Sequence, residues 1–223
     1  MRKTHTSGDR SVVKQPASYI ITDIQNQVKN PERKSVFING EFHCGISADT
    51  QTAFRLQRGQ ELTEKQLQMV ERHEEYERAK ALALRYLALR MRSQKELRDY
   101  LRKKECSDLA VERCIQYCLE HRYLDDRLFT EAFIRDKINI NQYGVRKIGS
   151  LLFRKGIDAA LIRTLLNEVV DEEEQLQLAR ELARKKLKTL HTTDDQRRKL
   201  YRYLAQKGFT GTVTHRVISE IFG

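Results

Sequence analysis

Cations gather at three places in the second half of this 223-residue chain. They are Arg98, Arg102, Lys103 and Lys104; then Arg146, Lys147, Arg154 and Lys155; then Arg197, Arg198, Lys199, Arg202 and Lys207. Guanidinium and ammonium groups at this density suit phosphate oxygens and carboxylates, which is the chemistry of polyanion binding. The plainer alternative is a solvated helix face laced with ion pairs. Two features favour a binding stripe. The clusters recur at matching places, and the charge is unevenly divided. Residues 1–78 carry 12 Lys/Arg against 11 Asp/Glu and residues 79–223 carry 30 against 20, so nearly all of the net +11 lies in the second part. Tyr100, Tyr143, Tyr201 and Tyr203 lie among these charges, where a ring either stacks on a base or packs between helices.

Other constellations read as structure. Cys114, Cys118 and His121 share one helix face and have the softness zinc prefers. Yet Cys106 aligns with Ile157 and Phe209, Cys114 with Leu165 and Val217, and Cys118 with Val169 and Ile221, so cysteine stands in for a small core residue. Asp125-Asp126 has the look of a carboxylate pair, but it precedes Leu128, Phe129 and Phe133 where a helix should begin, and a carboxylate there caps N–H groups. Asp171 to Glu174 reads as another acidic first turn. No phosphate loop, dinucleotide fingerprint, H-E-x-x-H or serine-nucleophile context occurs. No catalytic residue, metal or cofactor is expected, and the chain is not read as an enzyme.

The elements that carry these residues form a repeat. Leu97, Ile148 and Leu200 fall in register, as do Leu101, Leu152 and Leu204, and Lys104, Lys155 and Lys207, at offsets of 51 and 52 residues. A period near 50 marks a supersecondary unit copied in tandem, each copy too small to bury its apolar face alone. Each repeat gives three helices, with the cations on the second. Thr63–Gln66 and Ser93–Glu96 fit capping boxes. Gly156 and Gly208 end helices in the second and third repeats; position 105 of the first has no glycine, which leaves the sharpness of that turn open. Upstream, Tyr19–Thr22, Ser35–Ile38 and Glu41–Ile46 read as strands, with Asn39-Gly40 as a hairpin turn, covered by a helix within Asp49–Gln57. The fold class is mainly α, a tandem and elongated array of three three-helix repeats after a small hairpin-containing domain. The expected segments are a disordered tail at 1–18, a small α/β domain at 19–62, a linking helix at 63–78, and repeats at 79–126, 127–175 and 176–223.

The segments Ala83–Arg90 with Arg92–Leu97, Tyr123–Phe129, Gly144–Ile148, Lys155–Ile157 and Tyr203–Phe209 together resemble the RecX family of bacterial regulators of the RecA recombinase. The match runs in order over residues 79–223, and the N-terminal part resembles the longer Gram-positive members. Phe129-Thr130 stands where the family usually shows Phe-Ala. The resemblance implies a non-enzymatic protein that binds the RecA filament on single-stranded DNA and modulates its assembly, ATP hydrolysis and strand exchange, with inhibition the expected direction. The alternative is an independent nucleic-acid-binding protein, since three-helix units resemble helix-turn-helix modules. Weak, salt-sensitive DNA binding and a monomeric state are expected. With no apolar run near the roughly 20 residues of a membrane span, no secretory leader, and four cysteines read as reduced thiols, a cytoplasmic location is expected.

Overall fold

The computed structural model describes residues 18–28, 30–190 and 195–223. The expected disordered tail therefore lies outside the described residues, apart from Ser18. The chain divides into two compact units that meet at Arg78/Ala79.

In the first unit, β1 (Tyr19–Asn26), β2 (Arg33–Ile38), β3 (Glu41–Ser47) and β4 (Glu61–Leu62) form an antiparallel sheet in the order β3-β2-β1-β4. Asn39 and Gly40 both take positive φ, 52° and 90°, as a two-residue hairpin twisted to match its strands requires. The two-residue β4 was not foreseen; it is too short to carry an alternating pattern. Helix α1 (Ala48–Phe54) and the start of α2 (Glu64–Ala88) cover the sheet, burying Ile21, Val36, Ile38 and Ile46 with Leu56, Leu62, Leu67 and Val70. Glu74 of α2 accepts hydrogen bonds from the Ser47 amide and the Thr50 hydroxyl, each 2.7 Å long, and so braces the start of α1. Arg33 pairs with the same carboxylate at 2.8 Å and donates to the Gly45 carbonyl at 2.8 Å.

The second unit stacks three-helix modules. The end of α2, α3 (Gln94–Lys103) and α4 (Asp108–Glu120) make the first. Helices α5 (Asp126–Asn139), α6 (Val145–Arg154) and α7 (Ala159–Val169) make the second. The third has α8 (Glu172–Leu187), α9 (Gln196–Lys207) and α10 (Gly211–Phe222). The boundaries expected at 126/127 and 175/176 fall inside α5 and α8, and the linking segment 63–78 is continuous with the first module's opening helix.

The repeat register is realised in burial: Leu97, Leu101, Ile148, Leu152, Leu200 and Leu204 are all 0% exposed. Cys106, Cys114 and Cys118 are buried beside them, in the place of the apolar residues they align with. Both capping boxes form. Gln66 accepts from the Thr63 amide while its own amide donates to the Thr63 hydroxyl, and Ser93 and Glu96 exchange the same pair. Asp125 caps α5 by accepting from the Arg127 and Leu128 amides. Asp126 instead reaches across to α3, accepting from the Gln94 amide at 2.9 Å. Thr130 is fully buried, and its hydroxyl is satisfied by the Asp126 carbonyl at 2.6 Å.

The second helices end alike. The amides of Cys106, Ile157 and Phe209 each donate over 3.2 Å, to Leu101, Leu152 and Leu204 respectively. Glu105, Gly156 and Gly208 all sit at positive φ, so the first turn closes as sharply as the others with a glutamate in the left-handed region. That costs about 1 kcal/mol relative to glycine. Glu105→Gly is therefore expected to raise stability by roughly 0.5–1 kcal/mol, read as a higher urea midpoint at unchanged slope.

Why glycine is kept at 156 and 208 lies in the stacking. The start of each module's second helix abuts the end of the next module's second helix. At one junction the Ser93 hydroxyl donates to the Lys155 carbonyl over 2.8 Å. At the other the Gly144 amide donates directly to the Lys207 carbonyl over 2.9 Å, and the Arg146 amide to the Gly208 carbonyl over 3.0 Å. Helix starts have spare N–H groups and helix ends spare C=O groups, so each end helps to satisfy the other. A Cβ at Gly156 would stand 2.6 Å from Lys95 Cβ, and one at Gly208 would stand 2.6 Å from the Lys147 backbone nitrogen. Position 105 ends the first module's second helix, and no earlier module abuts it.

Candidate functional site

The thirteen cations separate into three groups by what they touch. Some pair with carboxylates on the neighbouring helix or at the start of their own. Arg98 makes a two-pronged pair with Glu112 at 2.6 and 2.9 Å, and Arg102 meets Asp108 at 2.9 Å. Arg198 pairs with Asp195 at the start of its own helix. Others are junction residues. Lys155 pairs with Glu96 at 2.6 Å and lies 5.9 and 5.7 Å from the Phe129 and Phe133 rings. Lys207 reaches the Asn141 carbonyl at 3.3 Å, and Lys147 the Gln206 carbonyl at 3.4 Å. The recurrence of lysine at 155 and 207 thus serves the stack. The remaining residues, Lys103, Lys104, Arg146, Arg154, Arg197, Lys199 and Arg202, are exposed.

One groove, of about 630 Å³, brings several of these groups together in the second unit. Lys147, Arg154 and Lys155 of the middle module line it with Arg90, from the turn after α2, and Lys137, from α5. Asp136 is its one acidic wall residue, and Phe133, Tyr143 and Leu151 form its apolar floor. Arg154 has no side-chain partner among the described residues. Arg90 and Lys137 were missed in the sequence, because they lie off the second helices and join the groove only through stacking. Arg146 is exposed on the first turn of α6, outside the groove lining.

The tyrosines divide in the same way. Tyr100 stacks on Tyr86 at 4.0 Å, nearly parallel, and Arg92 sits 4.0 Å from the Tyr86 ring. Tyr143 has Lys147 4.0 Å and Lys207 5.6 Å from its centroid. Tyr203 lies beneath Lys186. These three pack within the stack. Tyr201 is exposed, lies 5.3 Å from His215, and lines a second cleft with Arg197, Arg198 and Ile218. A flat ring beside two guanidinium groups suits an unstacked base with its phosphate.

Electrostatics concentrate at the groove's edge. Burial pushes the Glu96 carboxyl up, but hydrogen bonds from Arg90, Lys155 and the Ser93 amide outweigh it and bring the pKa down from 4.5 to about 2. The folded state therefore favours the carboxylate. Its stabilisation is complete above the unfolded value near 4.5 and is lost as pH falls toward 2. We expect this one group to contribute about 1–3 kcal/mol at neutral pH, discounted for the water that reaches it. Asp126 acts with the opposite sign, since burial raises its pKa. Comparing urea midpoints at pH 6 and pH 3 should show the wild type losing more stability than Glu96→Gln.

The second unit is a stack of three three-helix modules that carries a basic, aromatic-floored groove. The chain belongs to the RecX family. Family models described as the RecX N-terminal domain and the first, second and third RecX three-helix domains match residues 19–63, 79–118, 125–166 and 172–218. Relatives called "Regulatory protein RecX" include those of Clostridium beijerinckii, 32% identical over 90% of this chain and 95% of its own length, and Staphylococcus haemolyticus, 30% identical over 90% and 75%. A solved structure titled "Crystal structure of regulatory protein RecX" superposes with a TM-score of 0.70 at 25% identity, covering 89% of this chain and 98% of that one. The RecX structure from Lactobacillus salivarius, at 23% identity and a TM-score of 0.61, shares the fold over 67% of this chain and 97% of its own. Among the described residues no helix is long and apolar enough to cross a membrane.

Proposed function

We propose that this protein regulates the RecA recombinase without catalysing a reaction itself, by binding the RecA filament on single-stranded DNA and restraining its assembly, ATP hydrolysis and strand exchange. Membership in a family of proteins named as regulators supports the class of function. The observation that carries the proposed surface is the groove on the middle module, where Arg154 and its neighbours converge from two helices and a turn. Acidic protein faces and DNA phosphates both complement such a groove, and a ligand there meets cations already held in place by the stack. The working form is a monomer.

The second reading, direct binding to nucleic acid, draws on the Tyr201–His215 cleft with Arg197 and Arg198. In the account favoured here that cleft contributes a weak DNA contact, which falls steeply with salt through counterion release. DNA-dependent ATP hydrolysis by RecA from the same organism tests the proposal. Hydrolysis should fall at amounts of this protein well below the DNA sites present. A fall only when the protein coats the DNA would favour the second reading, and no change at any amount would contradict the first.

A further inference from the structure

A separate cleft of about 470 Å³ opens between the second and third modules. Leu166 and Val170, from the end of α7, and Val213, from α10, give it an apolar wall. Gln175 of α8 lines it while only 4% exposed, and neither its Nε2 nor its Oε1 has a hydrogen-bond partner. A buried carboxamide with both groups unpaired is costly, so the site calls for a partner. The amide offers one donor edge and one acceptor edge side by side. Two ligands match that pattern: the N–H and C=O of a single residue in an extended peptide, and the N6/N7 edge of adenine.

Charge decides between them. The cleft's charged residues are one arginine, Arg163, and one glutamate, Glu172, both exposed. A nucleic acid would meet no net attraction here, unlike at the cation-rich groove. A peptide needs none, because main-chain hydrogen bonds give affinity and an apolar pocket gives side-chain choice. We infer that this cleft binds a short extended peptide segment of the protein partner. Gln175 pairs with both main-chain groups of one residue, and that residue's aliphatic side chain lies against Leu166, Val170 and Val213. The inference rests on the filament-binding reading above, with a surface segment of a RecA protomer as the occupant.

The test uses the full chain titrated onto RecA filaments on single-stranded DNA. Gln175→Leu keeps the volume and removes both unpaired groups, so thermal unfolding should be unchanged or higher while filament binding weakens roughly tenfold. The salt dependence should stay as in the wild type, since no charge is lost. Asn167→Trp, at the cleft's exposed rim, should block entry by bulk and weaken binding at least as much; it decides the matter if Gln175→Leu unfolds early. Wild-type binding by both variants overturns the cleft while leaving the filament reading intact. An equal loss of binding to bare poly(dA) would mean the amide reads a base, which also overturns it. Failure of the wild type itself to bind filaments contradicts the filament reading, and this occupant with it.

Discussion

Gly208→Ala is expected to destabilise the protein by about 2–5 kcal/mol, among the largest losses available to a single methyl group. Two costs add. At φ 92° a Cβ is strained, by roughly 1–3 kcal/mol. The same Cβ would stand 2.2 Å from Lys147 Cβ and 2.6 Å from the Lys147 backbone nitrogen, so the helix ends must part. Parting them also weakens the bonds from Gly144 to Lys207 and from Arg146 to Gly208. Asparagine separates the terms, because it tolerates the left-handed region but still carries a Cβ. Gly208→Asn should therefore recover little. Gly211→Ala, where a Cβ meets nothing within 4 Å, should stay within about 0.5 kcal/mol of wild type. Urea unfolding of the three variants checks this. Full recovery by asparagine would mean that backbone conformation alone matters and that the junction is loose.

What the sequence made legible follows from what repeats preserve. Leucine register and cysteine burial were readable at Leu97, Ile148, Leu200, Cys114 and Cys118 because a core position keeps its apolarity in every copy. The hairpin at Asn39-Gly40 and the caps at Thr63, Ser93 and Asp125 were readable because each needs only local chemistry. Stacking contacts were not. Alignment puts Lys104, Lys155 and Lys207 in one column, yet only the last two have an earlier module to reach. The same alignment cannot show that Glu112 and Asp108 occupy Arg98 and Arg102. It also cannot show that Tyr86, and the lysines at 147 and 207, surround two of the tyrosines read as possible base platforms. Arg90 and Lys137 entered the groove by the same non-local route.

That division changes which residues test the function. Reversing Arg146, Lys147, Arg154 and Lys155 together would test the surface only if all four were exposed. Lys147 and Lys155 are half-buried and hold junctions, so reversing them would damage the stack as well as the surface. Arg146→Glu with Arg154→Glu changes the local charge by four units at two exposed side chains that have no partner among the described residues. Stability should stay within about 0.5 kcal/mol. Binding to the RecA filament should weaken roughly 10- to 100-fold at low salt, mostly through slower association, and the difference should narrow as salt rises. A control in the first unit should avoid Arg33, which pairs with Glu74. Arg58→Glu with Lys65→Glu, both exposed in the first unit, makes the same charge change on residues that do not line the groove.

The most direct measurement is the concentration of each form that halves DNA-dependent ATP hydrolysis by RecA, taken beside thermal unfolding. The account predicts that the Arg146/Arg154 variant needs roughly 10- to 100-fold more protein than wild type while unfolding at the same temperature, and that the Arg58/Lys65 control behaves as wild type. An Arg146/Arg154 variant that restrains RecA as well as wild type, with the control impaired, would place the interaction on the first unit and contradict the account.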